Sequence, residues 1–241
     1  MAERATGGFT GALLDADRAR PLGAAFGRIL HLGARLLRHD RYDDYRFERC
    51  GDLRLVVLPT VSNPKLLRTG AFFASVLNQQ AVAPVTALDL GTGSGICALA
   101  VAPRANRVVA VDINRAAVRC AQINASLNGL EHKVEVRPGD LFSSVPGERF
   151  DLVMFNPPFL SGAPRDDRDA AWRGAGLAGR FAAELADHLT PGGRALLLLS
   201  SWGAACRDHV DELVRRGFRL TAIARKHHVN ETITIVEVVP P

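Results

Sequence analysis

Short runs of Val, Leu, Ala and Phe alternate along this 241-residue chain with stretches in which apolar residues recur every third or fourth position. The first kind reads as buried strands and the second as helices. Strands are predicted at Val85–Leu90, Arg107–Asp112, Lys133–Arg137, Phe150–Phe155 and Arg194–Ser200. Helices are predicted at Ile96–Val101, from the cap Asn114 to Asn128 with Gly129 as its stop, at Gly179–Leu189, and at Arg207–Arg216 ended by Gly217. A turn is expected at Pro191-Gly192-Gly193. Two closing strands, Arg219–Arg225 and Thr232–Val239, read as an antiparallel pair at a sheet edge. Ahead of this alternation lie a helical stripe at Pro21–Arg38, two strands, Tyr42–Arg49 and Leu53–Leu58, joined as a hairpin through Cys50-Gly51-Asp52, and an apolar helix at Leu66–Leu77.

Three strand ends carry the candidate chemistry. The strand at Val85–Leu90 runs into Gly91-Thr92-Gly93-Ser94-Gly95, a turn whose glycines permit positive φ and let the main chain approach a ligand. The next strand ends in Asp112, an acid suited to both hydroxyls of a ribose; a dinucleotide site shares both features. Asp89, Gly139-Asp140-Leu141-Phe142 and the stretch Asn156-Pro157-Pro158-Phe159 separate the readings, since a dehydrogenase has no use for that set. In the last stretch two prolines remove two N–H donors and keep Asn156 and Pro157 out of helical conformations. The Asn156 side-chain oxygen and the Pro157 carbonyl can then take both hydrogens of one planar amino group, with Phe159 stacked on its plane.

On these motifs, in this order and spacing, the chain resembles class I S-adenosylmethionine-dependent methyltransferases, and among them the HemK-like and small-domain enzymes marked by Asn-Pro-Pro-(Tyr/Phe). The match spans roughly 61–241. The resemblance implies an α/β, Rossmann-like, seven-stranded, mostly parallel sheet with an antiparallel C-terminal strand and helices on both faces. It implies S-adenosylmethionine as cofactor and S-adenosylhomocysteine as product. Asp89, Gly91, Thr92 and Gly93 would hold the methionine part, Asp112 the ribose, Ile113 and Leu141 the adenine ring, and Asp140 the adenine amino group. Asn156 and Pro157 would hold the acceptor nitrogen, with Pro158, Phe159 and Trp172 on the substrate side. Thr69 and Gly70, in a segment that lies over the cofactor pocket in such enzymes, are secondary candidates. Phe stands at position 159 where Tyr is usual, which keeps a stacking surface and removes a hydroxyl.

Composition narrows the rest. The chain reads as an N-terminal helix-and-hairpin extension, 1–59, on the substrate side or acting as a lid, followed by a methyltransferase domain, 60–241. No apolar run exceeds strand length, so no membrane segment is expected and the protein reads as cytoplasmic, a monomer or homodimer. Its four cysteines form no Cys-x-x-Cys pair, and His227-His228 falls on a strand where adjacent side chains point apart, so no metal site is expected. The net charge of +5 comes almost wholly from arginine spread without a dense run. A protein glutamine or a small metabolite with an amide, amino-aryl or guanidine nitrogen therefore ranks ahead of an RNA or DNA base as acceptor, and a non-catalytic cofactor-binding scaffold ranks last. The charged stretch 161–173 is long enough to close over a substrate.

Overall fold

The computed structural model describes residues 12–14, 44–80, 83–159, 162, 174, 176–201, 203–228 and 231–241. The expected helix at 21–38, Trp172 and, apart from Gly162, the stretch 161–173 lie outside them.

After a helical turn at 12–14, which puts Leu13 and Leu14 into the core, comes the hairpin, β1 (Arg46–Cys50) and β2 (Leu53–Val57), paired antiparallel through a two-residue turn in which Gly51 has φ 61°. The single helix expected at 66–77 is two, α1 (Pro64–Leu67) and α2 (Thr69–Asn78). Arg68 between them sits at φ 62°, a left-handed conformation that stops one helix and starts the next, and nothing in the sequence marks an arginine for that position. The main body follows: β3 (Thr86–Leu90), α3 (Ile96–Val101), β4 (Arg107–Asp112), α4 (Arg115–Leu127), β5 (Val134–Pro138), β6 (Phe150–Phe155), α5 (Leu177–Glu184), β7 (Leu189–Ser200), α6 (Ala204–Arg215), β8 (Arg219–His227) and β9 (Thr232–Val239).

Seven strands form one sheet in the order β5-β4-β3-β6-β7-β9-β8, parallel except for β9, which runs antiparallel to both β7 and β8. The C-terminal strand thus inserts beside β7 and leaves β8 at the edge. Alternate residues of the central strands feed two cores. Leu88, Leu90, Val109, Val111, Val153 and Phe155 pack with α5 and α6 on one face. Ala87, Val108, Ala110, Leu152 and Met154 pack with α2 and α3 on the other. Because β4 and β6 flank β3 on opposite sides, the chain reverses its winding here, and a crevice opens beyond the carboxyl ends of these strands. The opposite ends are clamped by Asp151, which accepts from the Val85 and Thr86 amides (3.0 and 2.9 Å) and from the Thr190 hydroxyl (2.7 Å). The turn expected at 191–193 lies inside β7, as an irregularity between the Phe150–Leu189 and Leu152–Arg194 pairs.

The hairpin's second strand has an outer edge that would otherwise lack partners. Two carboxamides one helical turn apart on α4 supply them. Asn124 accepts from the Val56 amide (2.7 Å) and donates to its carbonyl (2.8 Å), while Asn128 does the same for Arg54 (3.0 and 2.7 Å). The spacing works because four residues of helix rise about 6 Å and two residues of strand about 6.6 Å. Asn124 is fully buried and also donates to the Ser94 carbonyl (2.8 Å), so it joins hairpin, helix and glycine turn.

Asn124→Ala removes the partner of the Val56 amide and of the Ser94 carbonyl, leaves the Val56 carbonyl only the Cys120 thiol (3.1 Å), and should cost roughly 2–4 kcal/mol in chemical denaturation. Arg54→Ala, which removes one exposed bond to the Leu127 carbonyl, should stay within about 0.5 kcal/mol of wild type. Equal losses would contradict a structural role for the Asn124 tie.

Candidate functional site

Beyond the carboxyl ends of β3, β4, β5 and β6 lies a cavity of about 370 Å³, within the range of small-molecule sites, about 300–1,000 Å³. Its wall contains Gly91, Thr92, Gly93, Asp112, Ile113, Asp140, Leu141, Asn156, Pro157, Pro158 and Phe159, so the four loops bring together nearly all the residues singled out from sequence. Thr69 and Gly70 line it as well. A Cβ on Gly70 would stand 2.9 Å from the Pro64 Cβ, so glycine is what lets α2 close against α1 here. Asp89 lies beneath the wall, 3% exposed, and reaches the cavity only through its neighbours.

Gly91, Gly93 and Gly95 have φ of 63°, 55° and 82°, and the turn is held residue by residue. Asp89 Oδ2 accepts from the Thr92 hydroxyl at 2.7 Å and from the Ala98 amide at 3.1 Å. Asp112 Oδ2 accepts from the Gly93 amide at 2.9 Å and its Oδ1 from the Asn114 amide at 2.9 Å. Asn114 in turn caps α4 by accepting from the Ala116 amide at 2.8 Å. The Ile113 amide also donates to this carboxylate, which thereby spends lone pairs on three main-chain groups and offers the cavity what remains. Burial pushes the Asp89 carboxyl up to about 7, against the pull of its bonds to Thr92 and Ala98. Burial likewise raises Asp112 above the usual carboxylate range, opposed by the Gly93 and Asn114 amides. Two desolvated acids side by side suit a ligand that brings cationic groups and hydroxyl donors.

Ile113 is 62% exposed, a large aliphatic face turned to the open cavity. Leu141 adopts φ 51°, and Thr60, also in the wall, φ 66°. With Arg68 these are the three non-glycine residues of positive φ among the described residues, and all belong to the site or abut it. Sequence reasoning missed Arg180 of α5, which reaches over the cavity to Asp140, with Nη1–Oδ2 2.6 Å and Nη2–Oδ1 3.3 Å. No local signal pairs residues 40 positions apart.

On the other side, Asn156 Oδ1 is buried with no hydrogen-bond partner among the described residues. Phe159 packs against both cores. Its main chain rests on Gly203, where a Cβ would stand 2.7 Å from the Phe159 carbonyl oxygen. Gly203 is a second residue that the sequence did not mark. The buried thiols are inert, with Cys120 pushed up to about 11 and Cys206 to about 12 by burial. Among the described residues no cluster of His, Cys, Asp and Glu could hold a metal ion, and no helix is long and apolar enough to cross a membrane.

A seven-stranded, mostly parallel sheet with a glycine turn after one strand and an acid ending the next defines a class I methyltransferase fold. The chain belongs to the methyltransferase small-domain family, whose model matches residues 52–226, and is an S-adenosylmethionine-dependent methyltransferase. It is 33% identical over 148 residues to a putative protein N5-glutamine methyltransferase of Methanocaldococcus jannaschii, covering 57% of this chain and 73% of that protein. It is 36% identical over 144 residues to a release factor glutamine methyltransferase of Koribacter versatilis, covering 53% of this chain and half of the relative. A methyltransferase of Pyrococcus furiosus shares the fold, with TM-score 0.60 and 17% identity over 88% of this chain and 99% of that one.

The Asp89 carboxyl yields a pH signature. Its folded pKa lies above the unfolded value, so the native state binds the extra proton and gains stability at acid pH. That gain is full below about pH 4 and is lost as pH rises through 7. Asp89→Asn cannot lose it. In urea melts, the stability of Asp89→Asn relative to wild type should therefore rise by roughly 1–4 kcal/mol between pH 4 and pH 8. A constant difference across that range would contradict the burial argument.

Proposed function

We propose that this protein transfers the methyl group of S-adenosylmethionine to the side-chain carboxamide nitrogen of a glutamine in a protein substrate. The observation that carries the reading is the Asn156 amide oxygen, buried in a residue of the cavity wall with no donor among the described residues. An unpaired buried acceptor costs about 1–3 kcal/mol, relieved when a ligand brings an N–H. A carboxamide brings two in one plane. Asn156 Oδ1 takes one and the Pro157 carbonyl the other, while Phe159 covers the plane and Pro158 helps exclude water. The glutamine methyltransferase relatives, 33% and 36% identical, support this acceptor. Substrates of this kind imply that the protein acts in the cytoplasm.

On the donor side, Asp112 receives the ribose hydroxyls on its remaining lone pairs. Ile113 and Leu141 enclose the adenine, and Asp140 accepts from its amino group. Gly91, Thr92 and Gly93 face the methionine portion, and Asp89 sets their conformation from beneath. When bound, S-adenosylmethionine supplies a methyl carbon whose bond to sulfur breaks with the electron pair leaving on sulfur. The residues' main task is alignment of nitrogen, carbon and sulfur, with water excluded. The carboxamide lone pair is delocalised into its carbonyl. Two acceptors on its hydrogens raise electron density at nitrogen and favour its pyramidal form as the new bond grows. No base is needed beforehand, because the nitrogen proton becomes acidic only after methylation and then departs to solvent.

Asn156→Ala should keep the S-adenosylhomocysteine dissociation constant within about threefold while lowering single-turnover methylation of a glutamine-bearing protein by roughly 10²–10³. Undiminished turnover in that variant would overturn the role of Asn156.

A further inference from the structure

We propose that Glu48 of the hairpin is a positioning residue for cofactor binding: by gripping Asn63 it holds residues 60–68, one lip of the cavity, in the conformation that S-adenosylmethionine meets. This rests on the assignment of the cavity to that cofactor made above. Thr60, Val61, Ser62 and Pro64 stand in the cavity wall, followed by Thr69 and Gly70. Asn63 is 3% exposed, and its side chain runs instead to β1, where the amide nitrogen donates to Glu48 Oε1 at 3.0 Å. Its Oδ1 accepts from the Lys65 amide at 2.9 Å and so caps α1. Glu48 Oε2 meets the Lys65 ammonium at 3.3 Å, but the lysine side chain is 59% exposed and such a pair adds little. The bond to Asn63 is the one that matters.

The path of the lip is not one that its own sequence favours. Thr60 (φ 66°) and Arg68 (φ 62°) bracket it in left-handed conformations that residues with a Cβ, and β-branched threonine above all, rarely adopt. Partners elsewhere in the chain therefore define it. At one end Val61 shares a small core with Ala117 and Cys120 of α4, and Asn114 Nδ2 donates to the Thr60 carbonyl at 3.4 Å. At the other, a Cβ on Gly70 would stand 2.9 Å from the Pro64 Cβ and 3.3 Å from Ile96 of α3, so the contact is close there. Between these ends Glu48 reaches Asn63 from 15 residues earlier. Strand alternation directs it inward: its neighbour Phe47 is 79% exposed on the opposite face of β1, while Leu55, its partner on β2, is buried on the same one. The hairpin is thus joined to the cavity twice, by Asn124 from β2 to the glycine turn and by Glu48 from β1 to the lip.

Calorimetry with S-adenosylhomocysteine, together with hydrogen exchange of the full chain with and without that ligand, tests this. Glu48→Ala should weaken S-adenosylhomocysteine about tenfold, the scale of one lost hydrogen bond. Without ligand, exchange protection of the 60–68 amides should fall while that of β3 to β6 holds, and S-adenosylhomocysteine should restore it. Glu48→Gln keeps an oxygen for the Asn63 amide and Lys65→Ala loses only the exposed ion pair, so both should stay within about threefold of wild type. Asn63→Ser keeps a cap for α1 but is too short to reach Glu48. It should match Glu48→Ala, add nothing to it in the double variant, and carry the comparison should Glu48→Ala fail to fold. Unchanged affinity in Glu48→Ala, an equal loss in Glu48→Gln, or protection lost evenly across the sheet would each overturn the proposal. Wild type that binds no S-adenosylhomocysteine would overturn the cofactor assignment itself, and the proposal with it.

Discussion

Residues Thr92, Gly93 and Ser94 are each held by a different polar side chain, and the site depends on that arrangement. Asp89 from β3 takes the Thr92 hydroxyl, Asp112 from β4 takes the Gly93 amide, and Asn124 from α4 donates to the Ser94 carbonyl. Three consecutive residues are thereby fixed from three elements, and the Val111 carbonyl of β4 also accepts from the Thr92 amide at 3.0 Å. The alternating positive φ of Gly91, Gly93 and Gly95 is the local requirement for this path. Because Asn124 also holds both main-chain groups of Val56, the hairpin is tied to the glycine turn through one amide.

Two parts of the cavity are unsatisfied in complementary ways. Asp89 and Asp112 are desolvated acids raised from their ordinary values, neither ion-paired among the described residues. A cationic ligand would stabilise both as carboxylates. Asn156 instead carries a neutral amide oxygen with no donor among the described residues. On the proposed function, the first suits a charged methyl donor and the second an uncharged nitrogen acceptor. Left-handed φ at Thr60, Arg68 and Leu141 is concentrated at the same place. Among the described residues, left-handed backbone outside glycine is confined to the site and its margin, as expected where function sets the conformation.

Much of the fold could be read from sequence because its signals are local. β4 and β6 have the expected bounds, as does α3, and Asn114 caps α4 as its residue type and position predict. The cavity wall was legible because its residues sit at strand ends, where a parallel sheet gathers them. What escaped depends on distant partners. Arg68 breaks the helix expected at 66–77 although arginine favours helices. α6 begins three residues early, at Ala204, behind a glycine required by contact with Phe159. Asn124 and Asn128 show helical spacing, the one hint of their role, but the strand edge they satisfy lies some 70 residues earlier. Asp89 reads as a cavity residue because it precedes the glycine turn, yet strand alternation places its carboxylate under the turn instead of in the wall.

The proposed acceptor is a carboxamide nitrogen gripped at Asn156. Protein, RNA and metabolite fractions offered separately with S-adenosylmethionine carrying a labelled methyl group, with the label located by tandem mass spectrometry, test it most directly. Label is expected on the side-chain nitrogen of a glutamine in the protein fraction. Label on a nucleobase or a small molecule, with none on protein glutamine, would contradict it.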